Sequence, residues 1–190
     1  MKKEIFRKLI HLSSLIYPLL YLFFFEKRDM LILTFSLFLF LSVIDFARYK
    51  FTNFASFINK IFGIFSRESE KNGGIYGSTY FMCGVFFTIL LFEKGVAIAS
   101  ILVLIISDTC ASLVGKSIKS PKLYGEKSLS GFLAFFISAL VILFYFTQNV
   151  TVALITAFLT SVCELFAKKV KIDDNLLIPI TSGVFLYLFS

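Results

Sequence analysis

The stretch GVAIASILVLIISDTCASLVGKS, residues 95–117, runs from Gly95 to Ile106 with nothing more polar than one serine, then meets Asp108 and ends in Gly115-Lys116-Ser117. Such a run predicts a transmembrane helix, and the pattern repeats outward from it. Apolar runs cover Leu9 to Phe25, Met30 to Ala47, Gly77 to Phe92, Gly95 to Val114, Gly131 to Thr147, Val150 to Ala167 and Leu176 to Phe189. With 58% hydrophobic residues, 26 phenylalanines in 190 positions and a mean hydropathy of +0.88, the composition is that of a membrane protein. The expected fold is all-α, a polytopic transmembrane helical bundle of about seven spans in one integral membrane domain, residues 1–190. Several runs are at or below the roughly 17 residues a bilayer core demands, which leaves six spans as the alternative, and a helix starting near Asp173 would lengthen the last run and restore the seventh. The first run follows the basic start MKKEIFRK without a small-residue cleavage site, and reads as a retained span rather than a signal peptide.

Alternating the connections between two sides sorts the basic residues unequally. Those before the first span, between the second and third, fourth and fifth, and sixth and seventh fall on one side. Of nineteen basic residues only Lys27, Arg28 and Lys94 fall on the other. Excess Lys and Arg stay cytoplasmic, so the N-terminus is expected inside, in the inner membrane of the cell, with any chemistry on the cytoplasmic side. The net charge of +7 follows from this orientation and from attraction to anionic lipid. A nucleic-acid partner is not expected, because the basic residues are divided among four membrane-bound segments rather than gathered in one arm. One of these segments, about 51–66, repeats Phe51, Phe54, Ala55, Ile58, Ile61, Phe62 and Phe65 at helical spacing. It predicts an amphipathic helix in the cytoplasmic interface, serving either as a packed connector or in the admission of lipid. Cys83, Cys110 and Cys163 lie in proposed spans without CxxC spacing and suggest neither a disulfide framework nor a zinc site.

Three acidic residues, Asp45, Asp108 and Glu164, lie inside proposed spans, where an ionised group is costly unless paired, metal-bound or wet. All are near the cytoplasmic ends of even-numbered spans. The odd-numbered spans begin in the same layer with Arg7-Lys8-x-x-His11, Gly74-x-Tyr76-Gly77, Lys127-Ser128 and Asp173-Asp174-Asn175. Asp45 with Arg48 reads as a helix-end pair. Glu164 with Lys168 at i, i+4 admits the same reading, and Arg7 with His11 suits either a shared ligand or an interfacial anchor. No basic residue lies within a turn of Asp108, and Ala111, Ser112 and Gly115 share its face, which points to metal ligation.

Lys116-Ser117 and Lys127-Ser128 have the ending of a P-loop, but Cys110 stands where the first glycine is required and Glu126 separates Gly125 from Lys127. The ordinary P-loop is excluded. The ingredients of a phosphate site remain: Gly115 and Gly125 for close backbone approach, and Lys127-Ser128 ahead of a helix N-terminus. With a carboxylate-held Mg²⁺ at Asp108, residues 108–131 contain the minimal equipment for a nucleoside triphosphate.

Taken in order, Arg7-Lys8-x-x-His11, Gly77-x-x-Tyr80-x-x-x-Gly84, Asp108-x-x-Ala111-x-x-x-Gly115-Lys116, Gly125-x-Lys127-Ser128-x-x-Gly131, Glu164 and Asp173-Asp174-Asn175-Leu176 with Pro179 resemble the dolichol kinase, phytol kinase and CTP-dependent diacylglycerol kinase family. The resemblance implies transfer of the γ-phosphate of CTP to the hydroxyl of a membrane lipid alcohol with Mg²⁺. Asp108, Glu164 and Asp173 would hold metal. Arg7, Lys8, Gly115, Lys116, Gly125, Lys127 and Ser128 would meet the nucleotide, and Asp108, Lys127, His11, Glu164 and Asp174 would serve catalysis. Phosphatidate cytidylyltransferases share Ser-Asp-x-x-Ala, matched by Ser107-Asp108-x-x-Ala111, but usually carry a glutamate where Ser130 stands here. A transporter should place charges in both halves of the membrane rather than in one layer.

Overall fold

The computed structural model describes residues 2–63, 70 and 73–190. Positions 64–66 of the expected amphipathic segment lie outside the described residues, as do Arg67 and Lys71. The helices are α1 (Lys2–Ser13), α2 (Ile16–Phe23), α3 (Lys27–Lys50), α4 (Thr52–Phe62), α5 (Gly77–Leu91), α6 (Lys94–Ser117), α7 (Leu129–Thr147), α8 (Val150–Val170) and α9 (Asp174–Phe189). Two short strands, β1 (Lys122–Tyr124) and β2 (Lys127–Ser128), join α6 to α7.

The all-α expectation holds apart from that hairpin. Among the described residues four helices, α3, α6, α7 and α8, are long and apolar enough to cross a bilayer, and the expectation of seven spans is not met by length. Helices α5 and α9, at 15 and 16 residues, rise about 23 Å each against a hydrocarbon core of about 30 Å. The first run is divided, with α1 ending at Ser13 and α2 beginning at Ile16. Pro18 lies just inside α2, lacks an N–H and disfavours a helical residue before it, so an unbroken apolar run does not make one helix.

Helix α6 is the axis of the bundle and packs against α1, α2, α5, α7 and α9. Of its most apolar stretch 56% is buried, against 11% for α3 and 22% for α7. The reason is visible in its side chains. Ala97, Ala99 and Ser100 let neighbours approach closely, and Ile98, Ile101, Val103, Leu104 and Ile105 fill the space between them. Val103–Ser107 forms a π-helical turn immediately before Asp108. The extra residue in such a turn re-aims the side chains that follow.

Glycines set two of the helix crossings. A Cβ on Gly84 of α5 would stand 2.3 Å from the Asn175 carbonyl of α9, and one on Gly131 of α7 would stand 3.0 Å from the Ala111 carbonyl of α6. Caps define the connections. Gln148 takes a left-handed conformation at the end of α7, and the Asn149 side chain then accepts from Thr151 N and Val152 N to start α8. At the end of the bundle away from the acidic layer, Lys27 Nζ donates to the Phe92 carbonyl at 2.9 Å and Lys94 Nζ to the Phe25 carbonyl at 3.2 Å, satisfying helix-end carbonyls.

Gly84→Ala is expected to lower the apparent Tm of the detergent-purified protein, with an overpacking cost of about 1–3 kcal/mol. Gly95→Ala, where a Cβ meets nothing within 4 Å, should leave the Tm unchanged or slightly raised, and thermal melts of the two variants check the pair.

Candidate active site

Asp108, Glu164 and Asp174 close into one cluster, while Asp45 stands apart with Arg48. Lys8 and His11, three residues apart on α1, face α6 together, as helical spacing requires. Lys8 Nζ forms an ion pair with Asp108 Oδ2. The same oxygen lies 3.7 Å from His11 Nε2, which is 3.4 Å from the Leu104 carbonyl in the π-helical turn. Phe81 of α5 packs edge-on against the His11 ring at 5.5 Å. No basic residue lies within a turn of Asp108 on its own helix, and its partner comes from a helix a hundred residues away.

On the other side of Asp108, Lys127 Nζ donates to Glu164 Oε1 at 2.5 Å and to the Glu164 carbonyl at 2.6 Å, and lies 3.3 Å from both carboxylate oxygens of Asp174. The hairpin delivers this lysine. Gly125 turns with φ +55, and β1 packs on α8 with Tyr124 edge-on to Phe166 at 5.3 Å. The strand returning from the turn therefore runs toward Glu164. Burial works against the charge of Lys127, and the carboxylates of Asp174, Glu164 and Asp108 more than offset it, so its ammonium holds the proton above the ordinary lysine range.

Asp108, Glu164 and Asp174 each offer an oxygen within 4.8 Å of the others. Three carboxylates face the two ammonium groups of Lys8 and Lys127. An all-oxygen, carboxylate-rich donor set is the chemistry that suits a hard divalent cation. The third acidic member is Asp174, not Asp173. Asp173 is the N-cap of α9 and accepts from Asn175 N at 3.0 Å and Asn175 Nδ2 at 2.8 Å. Glu164 pairs across the bundle with Lys127, and Lys168 instead meets Glu126 at 3.3 Å on the surface.

The other expected nucleotide residues stand around this cluster and the hairpin. Gly115 packs against α7, where an added Cβ would stand 3.0 Å from Ser128 Oγ and 3.2 Å from Gly131 Cα, so the helix contact alone requires a glycine there. Ser128 is buried as the N-cap of α7, accepting from Gly131 N and donating to the Gly115 carbonyl, both at 3.3 Å. Gly125 serves the turn, with open space around it, and Lys116 is exposed at the end of α6. Arg7 lines, with Lys8 and His11, a cleft of about 570 Å³ that runs from Asp108 between α1, α3, α4 and α5.

The Asp45–Arg48 pair stands as expected at 2.7 Å, and is the base of a larger junction. Arg48 also donates to the Glu70 carbonyl at 2.6 Å and stacks 3.6 Å from the Tyr76 ring centre. Asp45 Oδ2 accepts from Tyr76 N and Thr79 Oγ1, and Glu70 Oε1 accepts from Gly77 N, so two carboxylates satisfy the free N–H groups at the start of α5. Glu70 was not singled out by sequence reasoning, whereas Asn175 was marked with Asp173 and Asp174, and both line the cleft.

Comparison with known proteins places the chain among relatives. The chain is 34% identical over 183 residues to an uncharacterized protein of Rickettsia prowazekii, covering 92% of this chain and 89% of the relative. It is 33% identical over 182 residues to an uncharacterized protein of Methanocaldococcus jannaschii, covering 93% and 89%. It is also 32% identical over 163 residues to the CTP-dependent diacylglycerol kinase 1 of Schizosaccharomyces pombe, covering 76% of this chain and 73% of that protein. The chain belongs to the CTP-dependent diacylglycerol kinase family. Membership supports a kinase in a membrane, in agreement with the four long apolar helices. No family model matches the chain, and no solved structure matches it. Within this kinase family the cluster around Asp108 is the candidate active site.

Lys127→Met would leave Glu164 and Asp174 buried without their cation, and is expected to destabilise the protein by about 3–5 kcal/mol. Lys168→Met removes only the surface pair and should cost at most about 1 kcal/mol. Thermal melts in one detergent compare the two.

Proposed function

We propose that the chain is an integral membrane kinase that transfers the γ-phosphate of CTP to the hydroxyl of a membrane lipid alcohol. The observation that carries this reading is the position of Asp108. Its carboxylate meets Lys8 and His11 at the end of an apolar cleft, and it also closes a group with Glu164, Asp174 and Lys127. A lipid acceptor and a polyanionic donor need adjoining sites of these two kinds.

In the proposed reaction the lipid hydroxyl oxygen bonds to the γ-phosphorus as the bond from that phosphorus to the β–γ bridging oxygen breaks. CDP leaves with the electron pair. The hydroxyl proton passes to a carboxylate of the cluster, where His11 Nε2 stands 3.7 Å from Asp108 Oδ2. Lys127 and Lys8 are the cations nearest the transferring group, and phosphoryl transfer depends chiefly on such positioning and charge neutralisation. Asp108, Glu164 and Asp174 would hold Mg²⁺, which when bound supplies charge neutralisation at the phosphates.

The orientation rests on the distribution of basic residues. The N-terminus and the acidic layer lie on the cytoplasmic side of the inner membrane, and α1–α2, α3, α5, α6, α7, α8 and α9 make the seven crossings. The shorter helices span by local thinning of the bilayer.

Purified protein in nanodiscs with Mg²⁺, CTP labelled at the α or γ phosphate, and a panel of diacylglycerol, phytol, polyprenol and phosphatidic acid tests the reading. The expected outcome is γ-label in a lipid with release of CDP. Incorporation of α-label with pyrophosphate release would overturn it in favour of cytidylyl transfer. Asp108→Asn is expected to reduce γ-transfer by at least about 100-fold, and a fully active variant would remove Asp108 from the site.

A further inference from the structure

The cleft has a form that the reaction alone does not require. Its polar lining includes Arg7, Lys8, His11, Glu70, Asp108 and Asn175, and its body is lined by Ile10, Phe40, Leu41, Ile44, Phe81 and Met82. At about 570 Å³ it falls within the roughly 300–1,000 Å³ of small-molecule sites. Helix α1 supplies one wall and α3 the opposite one. On these two walls Ile10 and Phe40 are 45% and 62% exposed, so the cleft opens sideways on the surface that faces lipid rather than toward water.

Its depth has a physical meaning. The lining descends along the first two helices from Arg7 to Tyr17, ten residues or about 15 Å of helical rise. That is half of the roughly 30 Å hydrocarbon core, the thickness of one leaflet. The cytoplasmic end of the cleft is fixed by the Arg48 junction and by Tyr76 Oη donating to Asn59 Oδ1 at 3.2 Å, which ties α4 to the start of α5 and sets Ile58 against the cleft.

The geometry points to this cleft as the acceptor site: a lipid of the adjoining leaflet slides in between α1 and α3, its hydrocarbon chain against Leu41, Ile44, Phe81 and Met82 and its free hydroxyl at Asp108 and His11. The assignment rests on the lipid kinase reading for the identity of the hydroxyl. It goes beyond that reading in naming the entry side, the one-leaflet depth and the residues that select for a chain. Charge supports the choice of occupant. Lys8 and Asp108 pair with each other at the polar end, so an uncharged hydroxyl can approach without stripping either charge of its partner.

The test is photolabelling of the full chain in nanodiscs with a diacylglycerol carrying a diazirine on one acyl chain, beside a phosphatidylcholine carrying the same chain. Peptide mapping should find the diacylglycerol enriched at least several-fold over the phosphatidylcholine on residues 40–44 and 81–82. Ile44→Trp should cut that labelling and raise the KM for diacylglycerol about tenfold or more, with the KM for CTP unchanged. Val43→Trp, on the exposed face of α3 and outside the cleft lining, should leave both parameters as in the wild type. Equal labelling of the cleft by both probes, or labelling confined to α7 and α8, would overturn the assignment even if the lipid is phosphorylated. If no lipid is phosphorylated, the kinase reading fails, and selective labelling of the cleft by the free alcohol still decides the acceptor site.

Discussion

Carboxylates withdrawn from water into an apolar bundle need cations beside them, and the arrangement of this protein follows from meeting that need three times in one place. Asp108, Glu164 and Asp174 come from three different helices. Lys127 answers two of them and Lys8 answers the third. Neither lysine reaches its partner by local helical geometry. Lys127 is carried over the end of α8 by a hairpin whose Gly125 turn and Tyr124–Phe166 contact aim it, and Lys8 is held by the packing of α1 on α6. Removing an ammonium from such a pair costs far more than a surface ion pair is worth, so the hairpin and α1 are docked by the charges they carry as well as by apolar contact.

Asp108 has a second consequence for the architecture. It stands at the junction of a polar cluster, whose composition suits phosphates and a divalent cation, and an apolar cleft, whose lateral opening suits a lipid. The axial helix α6 makes that junction possible because it is buried on several sides, while the π-helical turn before Asp108 re-aims the residues that follow. The Arg48 junction does the corresponding work on the far side of the cleft, fixing α4 and the start of α5 against α3. In the proposed reaction a water-soluble donor and a membrane-dissolved acceptor would meet at Asp108.

Much of this was legible in the sequence. Apolar runs predicted helices because a membrane leaves the backbone few other ways to satisfy its hydrogen bonds. The acids within those runs marked the site because an ionised group there is too costly to be incidental. The choice between Asp173 and Asp174 was not legible, since adjacent carboxylates point in different directions and the helix start takes one of them as its cap. The packing roles of Gly115 and Ser128 were not legible for a related reason. A glycine and a serine beside a lysine suit a phosphate, but they also suit a close helix crossing and an N-cap, and only the tertiary structure shows Gly115 against Gly131.

The sequence by itself determined the all-helical class, the residence in a membrane and the concentration of acidic and basic groups in one layer, because hydropathy and the cost of buried charge act on each segment alone. The tertiary structure decided the partners. Whether Glu164 meets Lys168 four residues on or Lys127 thirty-seven residues back, and whether Asp108 meets Lys8 across a hundred positions, depends on which helices touch. That is set by the sum of many packing contacts, and no local pattern of residues contains it.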